Sequence, residues 1–317
     1  MSLLEIKGLR VFFRSGDRTI KANNSIDLEV MDNEIIGIIG ETGCGKSILG
    51  RAIMTLLSDN TEINGKIFYK GEDLLSLPES KLRTIRGKSI GIILQNPSAA
   101  LNPVLSIGDQ IAEVFQYHEK MSKQEAKMKT AGILKMVGID PNRMQEFPHQ
   151  FSGGMKQRIM IAMGMAFSPE LLIADEPTKG LDPETKDSIV NLLRNLVRSK
   201  NMSMILITHD LDVTEKMCDR VAVMYAGEII ELASINNILA APRHPYTKVL
   251  LGSLPNKGLR SVPGESPSLS SPPSGCRFHP RCVHAMDECK KDHPPMLLTE
   301  IGTEVRCFLY KGDQDQI

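Results

Sequence analysis

The chain has no net charge, since 38 Lys and Arg stand against 38 Asp and Glu. A protein that binds nucleic acid mainly by electrostatics carries a basic excess or a basic stripe. Neither is present, so nucleic acid is not an expected partner. No apolar run approaches the roughly 20 residues that span a bilayer, so membrane association has to come through another chain. The first residues, MSLLEIKGLRVFF, break their apolar positions with Glu5, Lys7 and Arg10, unlike a secretory signal. The expected compartment is the cytoplasm. There is no internal repeat, and the cysteines lack the C-x2-C spacing of common zinc knuckles.

The length of 317 residues suggests about two domains at roughly 150 residues each. The clearest boundary is residues 255–275, PNKGLRSVPGESPSLSSPPSG, where Pro, Gly and Ser fill 14 of 21 positions. Such a composition resists helix and sheet and reads as a linker. Residues 1–254 form the large unit, and 276–317 a short Cys-rich module. Within the large unit, the apolar runs 35–39, 90–94, 171–174 and 204–207 read as buried strands. Helical patterns alternate with them, which argues an α/β fold around a mostly parallel sheet. From about 99 to 166 no buried strand is evident, and the segment, including the Lys/Glu-rich 122–136, reads as an inserted helical subdomain.

Each buried run is followed at once by polar residues: GETGCGKS (40–47) after Ile39, Gln95 after Leu94, Asp175 and Glu176 after Ala174, and Thr208 and His209 after Ile207. In open α/β sheets, ligands bind outside the carboxyl ends of the strands, so one shared site explains all four. The first stretch is the most specific. Its glycines let backbone N–H groups curl around phosphate oxygens at a helix N-terminus. Lys46 would reach the β- and γ-phosphates and Ser47 would ligate Mg²⁺. Asp175 suits a contact to Mg²⁺, and Glu176 could polarise an attacking water as general base. Gln95 and His209 gain weight only from the shared geometry. A second cradle lies in the helical insert, where Ser152 is a plausible N-cap and Gly153 and Gly154 precede a helix expected to run through Phe167. One nucleotide does not need two cradles, which points to a site completed between two molecules. The methionines at 155, 160, 163 and 165 read as core packing.

Taken together these residues resemble the ATP-binding subunits of ABC transporters over residues 1 to about 255. GETGCGKS looks like the phosphate loop, Gln95 like the lid glutamine, FSGGM like the signature, and LLIADEP like the second nucleotide motif. Gly180-Leu181-Asp182 resembles the D-loop and His209 the switch histidine. The resemblance implies a P-loop NTPase (RecA-like) core with an inserted helical subdomain and an antiparallel β element. It implies ATP and Mg²⁺ held by Gly40, Glu41, Thr42, Gly43, Cys44, Gly45, Lys46, Ser47, Ile48, Gln95 and Asp175, with Mg²⁺ on Ser47, Gln95 and Asp175. Phe13 takes the place of the aromatic that stacks on adenine, with Phe12 as the alternative. Lys46, Gln95, Glu176 and His209 are the implied catalytic group. Two cassettes would close head to tail, with Ser152, Gly153, Gly154 and Met155 on the partner's ATP and Asp182 in the communicating D-loop. Gly180 stands where the wider family more often has Ala.

QNPSAALNP after Gln95, Met155 in place of the usual Gln, HPYTKVLL (244–251) and GCRFHPRC are similar to importers of dipeptides, oligopeptides and nickel. This implies a related but different second ATPase, two membrane-spanning permease subunits, an extracytoplasmic solute-binding protein, and a peripheral place on the cytoplasmic face of the cell membrane. The motifs encode neither solute nor direction. Cys276, Cys282, Cys289 and Cys307 suit zinc or an iron–sulfur cluster by ligand type. The resembled group can carry a [4Fe–4S] cluster there, while reduced thiols or a disulfide pair stay open. A soluble ABC ATPase acting on DNA or ribosomes is the competing class. Residues 48–150 leave no room for the long coiled coil of DNA-repair members, and there is one cassette, not two. An iron–sulfur redox protein with a vestigial nucleotide fold is a third reading, opposed by Lys46 and Glu176.

Overall fold

The computed structural model describes residues 2–16, 18–58, 60–252 and 264–316. The chain divides into two compact units, Met1–Leu75 with Ile207–Ile317, and Ser76–Leu206. Of the expected linker, 255–263 lies outside the described residues, and 264–275 belongs to the first unit.

The first unit opens with β1 (Ser2–Ser15) and β2 (Arg18–Met31), followed by β3 (Ile35–Ile39), α1 (Lys46–Ile53), β4 (Thr61–Tyr69) and β5 (Glu72–Asp73). Four of these make an antiparallel sheet in the order β2-β1-β4-β5. Leu4, Ile6, Leu9 and Val11 of β1 are buried. From Leu4 onward the buried set changes from even to odd positions because the register shifts between Ile6 and Leu9, around Gly8 at φ 55°. A bulge resets which face an alternating strand presents.

The second unit contains α2 (Glu79–Ile85), β6 (Ile90–Ile93), α3 (Pro97–Ala100), α4 (Ile107–Glu119), α5 (Lys123–Met136), α6 (Gly153–Gly164), β7 (Leu171–Asp175), α7 (Pro183–Ser199) and β8 (Ser203–Ile207). The strand order is β8-β7-β6, with β6 and β7 parallel. All five residues of β7 and of β8 are buried, as expected of strands covered on both faces. Between β6 and β7 the described residues are helical or irregular. Ser106 caps α4 through the Asp109 N–H, and Ser122 with Glu125 forms a capping box on α5. The helix α6 ends at Gly164, short of the expected Phe167, where Met165 leaves helical geometry. In α7, Ile189, Val190, Leu193, Leu196 and Val197 form one buried stripe. Each contributes about 1.5–3 kcal/mol of apolar burial.

The chain then returns to the first unit with α8 (Leu211–Met217), β9 (Arg220–Tyr225), β10 (Glu228–Ser234), α9 (Ile235–Ala240), α10 (Pro245–Gly252), α11 (Asp287–Lys291), β11 (Leu297–Leu298) and β12 (Glu304–Val305). The order is β11-β12-β10-β9-β3, with β9 parallel to β3 and antiparallel to β10. The Cys-rich end was expected as a separate module. Instead, β12 pairs Val305 with Glu231 and Glu304 with Leu232, so it extends the sheet of its own unit. Among the described residues no helix is long and apolar enough to cross a membrane.

Candidate functional site

In the first unit, residues 40–47 leave the end of β3 and run into α1. Gly40, Gly43 and Gly45 hold φ of 152°, 83° and 106°. A Cβ at Gly40 would lie 2.1 Å from the Met224 carbonyl oxygen, and one at Gly45 would lie 2.1 Å from that of Ala22. Only glycine satisfies both the dihedral and the space. Lys46 is buried, and its Nζ donates to the carbonyl oxygens of Gly40 (2.7 Å) and Glu41 (2.9 Å). Burial raises the Cys44 thiol, opposed by the Lys46 charge. Thr42 and Gly43 are exposed, while Ser47 and Ile48 are half-buried in the first turn of α1. The Asn23 amide donates to Gly45 O at 3.1 Å, fixing the loop where it becomes helix.

His209 follows β8. The Thr208 N–H donates to Ile38 O of β3 at 3.1 Å, and Asp210 caps α8 through the Asp212 and Val213 N–H groups. These flanking bonds leave His209 exposed at the carboxyl end of the strand. Phe13 and Phe12 are successive half-buried residues of β1, so they face opposite sides of the sheet.

In the second unit, Ile93 of β6 is in register with Ala174 of β7. Gln95 and the Asp175–Glu176 pair therefore stand at the same ends of two adjacent parallel strands. Asp175 and Glu176 are buried. Glu176 holds φ 48°, a left-handed conformation that costs a non-glycine residue about 1–3 kcal/mol and occurs preferentially at functional sites. Ser152 caps α6, accepting from the Met155 N–H at 3.4 Å. Ser152 and Gly153 are exposed, and the Met155 sulfur accepts from Arg143. Met160 and Met165 are core residues. Asp182 caps α7 through the Thr185 N–H at 3.0 Å, and that bond holds its carboxyl below the usual range.

Cys276, Cys282, Cys289 and Cys307 are free thiols lining one cavity with His244, Phe278 and Phe308. Burial pushes Cys276 up to about 12 and Cys307 up to about 11. Among the described residues no group of three or more His, Cys, Asp or Glu side chains is arranged, as placed, to hold a metal ion. The four cysteines expected to hold an iron–sulfur cluster are thus brought to one cavity as free thiols. Burial favours the neutral form of Cys276, Cys282 and Cys307, whereas metal ligation needs thiolates.

Sequence reasoning missed what surrounds Glu41. Its N–H donates to the Tyr246 hydroxyl at 3.0 Å, and its carboxylate accepts from Arg281 and Ser266. The partners lie more than 200 residues away in sequence, so no local pattern signals them.

A strand leading into a glycine-rich phosphate loop, with acidic and amide groups at further strand ends, defines a P-loop nucleotide-binding protein. Residues 23–179 match the family described as ABC transporter, and 230–289 match the oligopeptide/dipeptide transporter C-terminal region. The oligopeptide transport ATP-binding protein AppD of Bacillus subtilis (strain 168) is 41% identical, covering 98% of both chains. The dipeptide transport ATP-binding protein DppD of the same organism is 42% identical over 99% of this chain and 95% of its own. OppD of Salmonella typhimurium is 41% identical over 96% and 93%. Among solved structures, the dimeric ATP-binding cassette MJ0796 bound to ADP and Pi is similar at 26% identity and a TM-score of 0.66. The match covers 73% of this chain and 98% of that one. The chain belongs to the ABC transporter family and is an ATP-hydrolysing transporter subunit.

Proposed function

We propose that this subunit powers the uptake of di- and oligopeptides from the cytoplasmic face of the cell membrane. The observation that carries the reading is identity above 40% along nearly the whole chain to proteins named for oligopeptide and dipeptide transport. The chain pairs with a related but different ATPase, and the pair drives two permease subunits fed by a solute-binding protein. The proposed organisation is a cassette over 1–254 with its helical subdomain at about 99–166, a linker over 255–275 and a cysteine-rich end over 276–317.

The residue roles follow from the chemistry of the groups. Lys46 and the loop N–H groups take the phosphate oxygens. Ser47, Gln95 and Asp175 offer only oxygen donors, which suits Mg²⁺, and that ion neutralises phosphate charge when bound. Glu176 accepts the proton of the attacking water, with Gln95 and His209 completing the group. Phe13, or Phe12 on the other face, stacks on adenine. Ser152, Gly153, Gly154 and Met155 meet the ATP of the partner cassette, with Asp182 as the communicating D-loop residue.

The four cysteines are proposed as the ligands of a [4Fe–4S] cluster, supported by their shared cavity. Anaerobically purified protein should then contain iron that Cys276→Ser lowers. Absence of iron from the wild type would overturn this part alone.

The test of the main reading is uptake of labelled dipeptide and labelled nickel in cells carrying the wild type or Lys46→Ala. Loss of dipeptide uptake alone is expected, whereas loss of nickel uptake alone would transfer the chain to metal import. In the assembled transporter, Glu176→Gln should retain ATP and lower turnover by about 10²–10⁴-fold. Near-normal turnover would remove Glu176 as the base.

A further inference from the structure

Glu41 places a carboxylate inside a loop built to receive anions. A negative charge there opposes phosphate binding unless a neighbouring cation offsets it. Arg281 is that cation. Its Nη1 and Nη2 donate to the two Glu41 carboxylate oxygens, each at 3.1 Å, in the bidentate geometry that is strongest for a guanidinium. The same guanidinium donates to the Tyr225 hydroxyl at 3.2 Å and to Ser266 at 3.4 Å, and it lies 5.7 Å from the Tyr225 ring centroid. The Arg281 side chain is only 6% exposed, so it is held in place and not waving in solvent.

Arg281 belongs to the segment CRFHPRC, residues 276–282, which grips the loop's surroundings at two further points. Phe278 packs edge-on against Tyr225 and Tyr246, with centroids 5.2 and 5.5 Å apart, and Tyr246 is the residue that receives the Glu41 N–H. Arg277 forms a buried ion pair with Glu228 at 2.8 Å and donates to Ala226 O. The next residue in that turn, Gly227, donates its N–H to Cys44 O at 2.9 Å. The segment therefore touches the neighbours of both Glu41 and Cys44.

We propose that residues 276–282 clamp the phosphate loop, and that Arg281 is a positioning residue for ATP that neutralises and orients the Glu41 carboxylate. This rests on the reading that residues 40–47 bind the phosphates of ATP. It gives the cysteine-rich end a part in nucleotide affinity that does not depend on what the cysteines hold.

The test is equilibrium binding of a fluorescent ATP analogue with Mg²⁺ to the purified full chain. It compares the wild type, Arg281→Gln, Glu41→Gln and the double variant, with thermal melting measured on each. Arg281→Gln should weaken binding about tenfold by leaving Glu41 uncompensated. The double variant should return to within about threefold of the wild type, because it removes both charges and leaves two amides able to pair. Lack of rescue by Glu41→Gln, or equal binding by all four proteins, would overturn the proposal. The Gln variants keep the side-chain size, so folding is expected to survive. Should Arg281→Gln melt early, the double variant still decides, since an electrostatic role requires it to bind better than the single. A wild type that fails to bind, or a Lys46→Ala that binds as well, would overturn the underlying reading of the loop instead.

Discussion

Glycines shape both candidate cradles, the phosphate loop and the signature at the start of α6, but for different physical reasons. In the phosphate loop the backbone requires them, since Gly40 and Gly45 have positive φ and a Cβ at either would fall 2.1 Å from a carbonyl oxygen. In the signature both glycines are helical. At Gly154 a Cβ would lie 2.4 Å from the Thr185 methyl group, a side-chain conflict. At Gly153 the nearest atom is Leu181 Cδ2, at 4.0 Å, an ordinary contact. One residue type thus meets a demand of chain geometry, a demand of packing, and at Gly153 no demand made by its own fold.

The largest test of this contrast is Gly40→Ala. The clash is with backbone, which has no rotamer to escape into, so the loop and strand β9 behind it must move apart. A loss of about 3 kcal/mol in unfolding free energy is expected, together with loss of binding of the ATP analogue. Urea denaturation gives the first number. A midpoint equal to that of the wild type would show that the loop yields easily, and the contrast between the two cradles would collapse.

The difference between the cradles also shows what sequence can carry. The phosphate loop was legible because its pattern is local: a uniformly apolar strand, spaced glycines, then Lys46 and Ser47. The uniformly apolar β3 and β7 were legible for the same reason. The hairpin of β1 and β2 was not, because the register shift at residues 6–9 breaks the alternation that would reveal it. Strand β10 was hidden by Glu228 and Glu231, two carboxylates buried in a core strand. Their burial is offset by distant partners: Arg277 and His293 on Glu228, and the Arg243 and His244 N–H groups on Glu231. The same distance in sequence concealed the Arg281–Glu41 pair. Elements carried by local pattern could be read, and contacts made by long-range pairing could not.

A smaller effect is expected at Gly154. Crowding the Thr185 methyl costs about 1–3 kcal/mol, while replacing a helical glycine by alanine returns about 1 kcal/mol. Gly154→Ala should therefore lose about 1 kcal/mol. Thr185→Ser removes the methyl group, so in that background the same alanine should be neutral or stabilising. A double-mutant cycle on urea midpoints measures this coupling. Simple additivity would mean that the contact at 2.4 Å is not the reason for glycine there.

Gly153 is where stability and function should part. Alanine fits the helical backbone and crowds nothing within the chain, so Gly153→Ala should raise stability slightly, by about 0.5 kcal/mol. The added methyl group nonetheless stands beside the exposed N–H groups opening α6, where the proposed function brings the phosphates of a partner-bound ATP. Turnover by the assembled transporter should fall by about tenfold, as when one anion-stabilising donor is displaced. Melting and ATPase measured on the same preparation separate the two effects. If stability fell together with turnover, Gly153 would be a packing glycine like Gly154. If neither changed, no anion would approach these N–H groups, and the second cradle would reduce to an ordinary capped helix start.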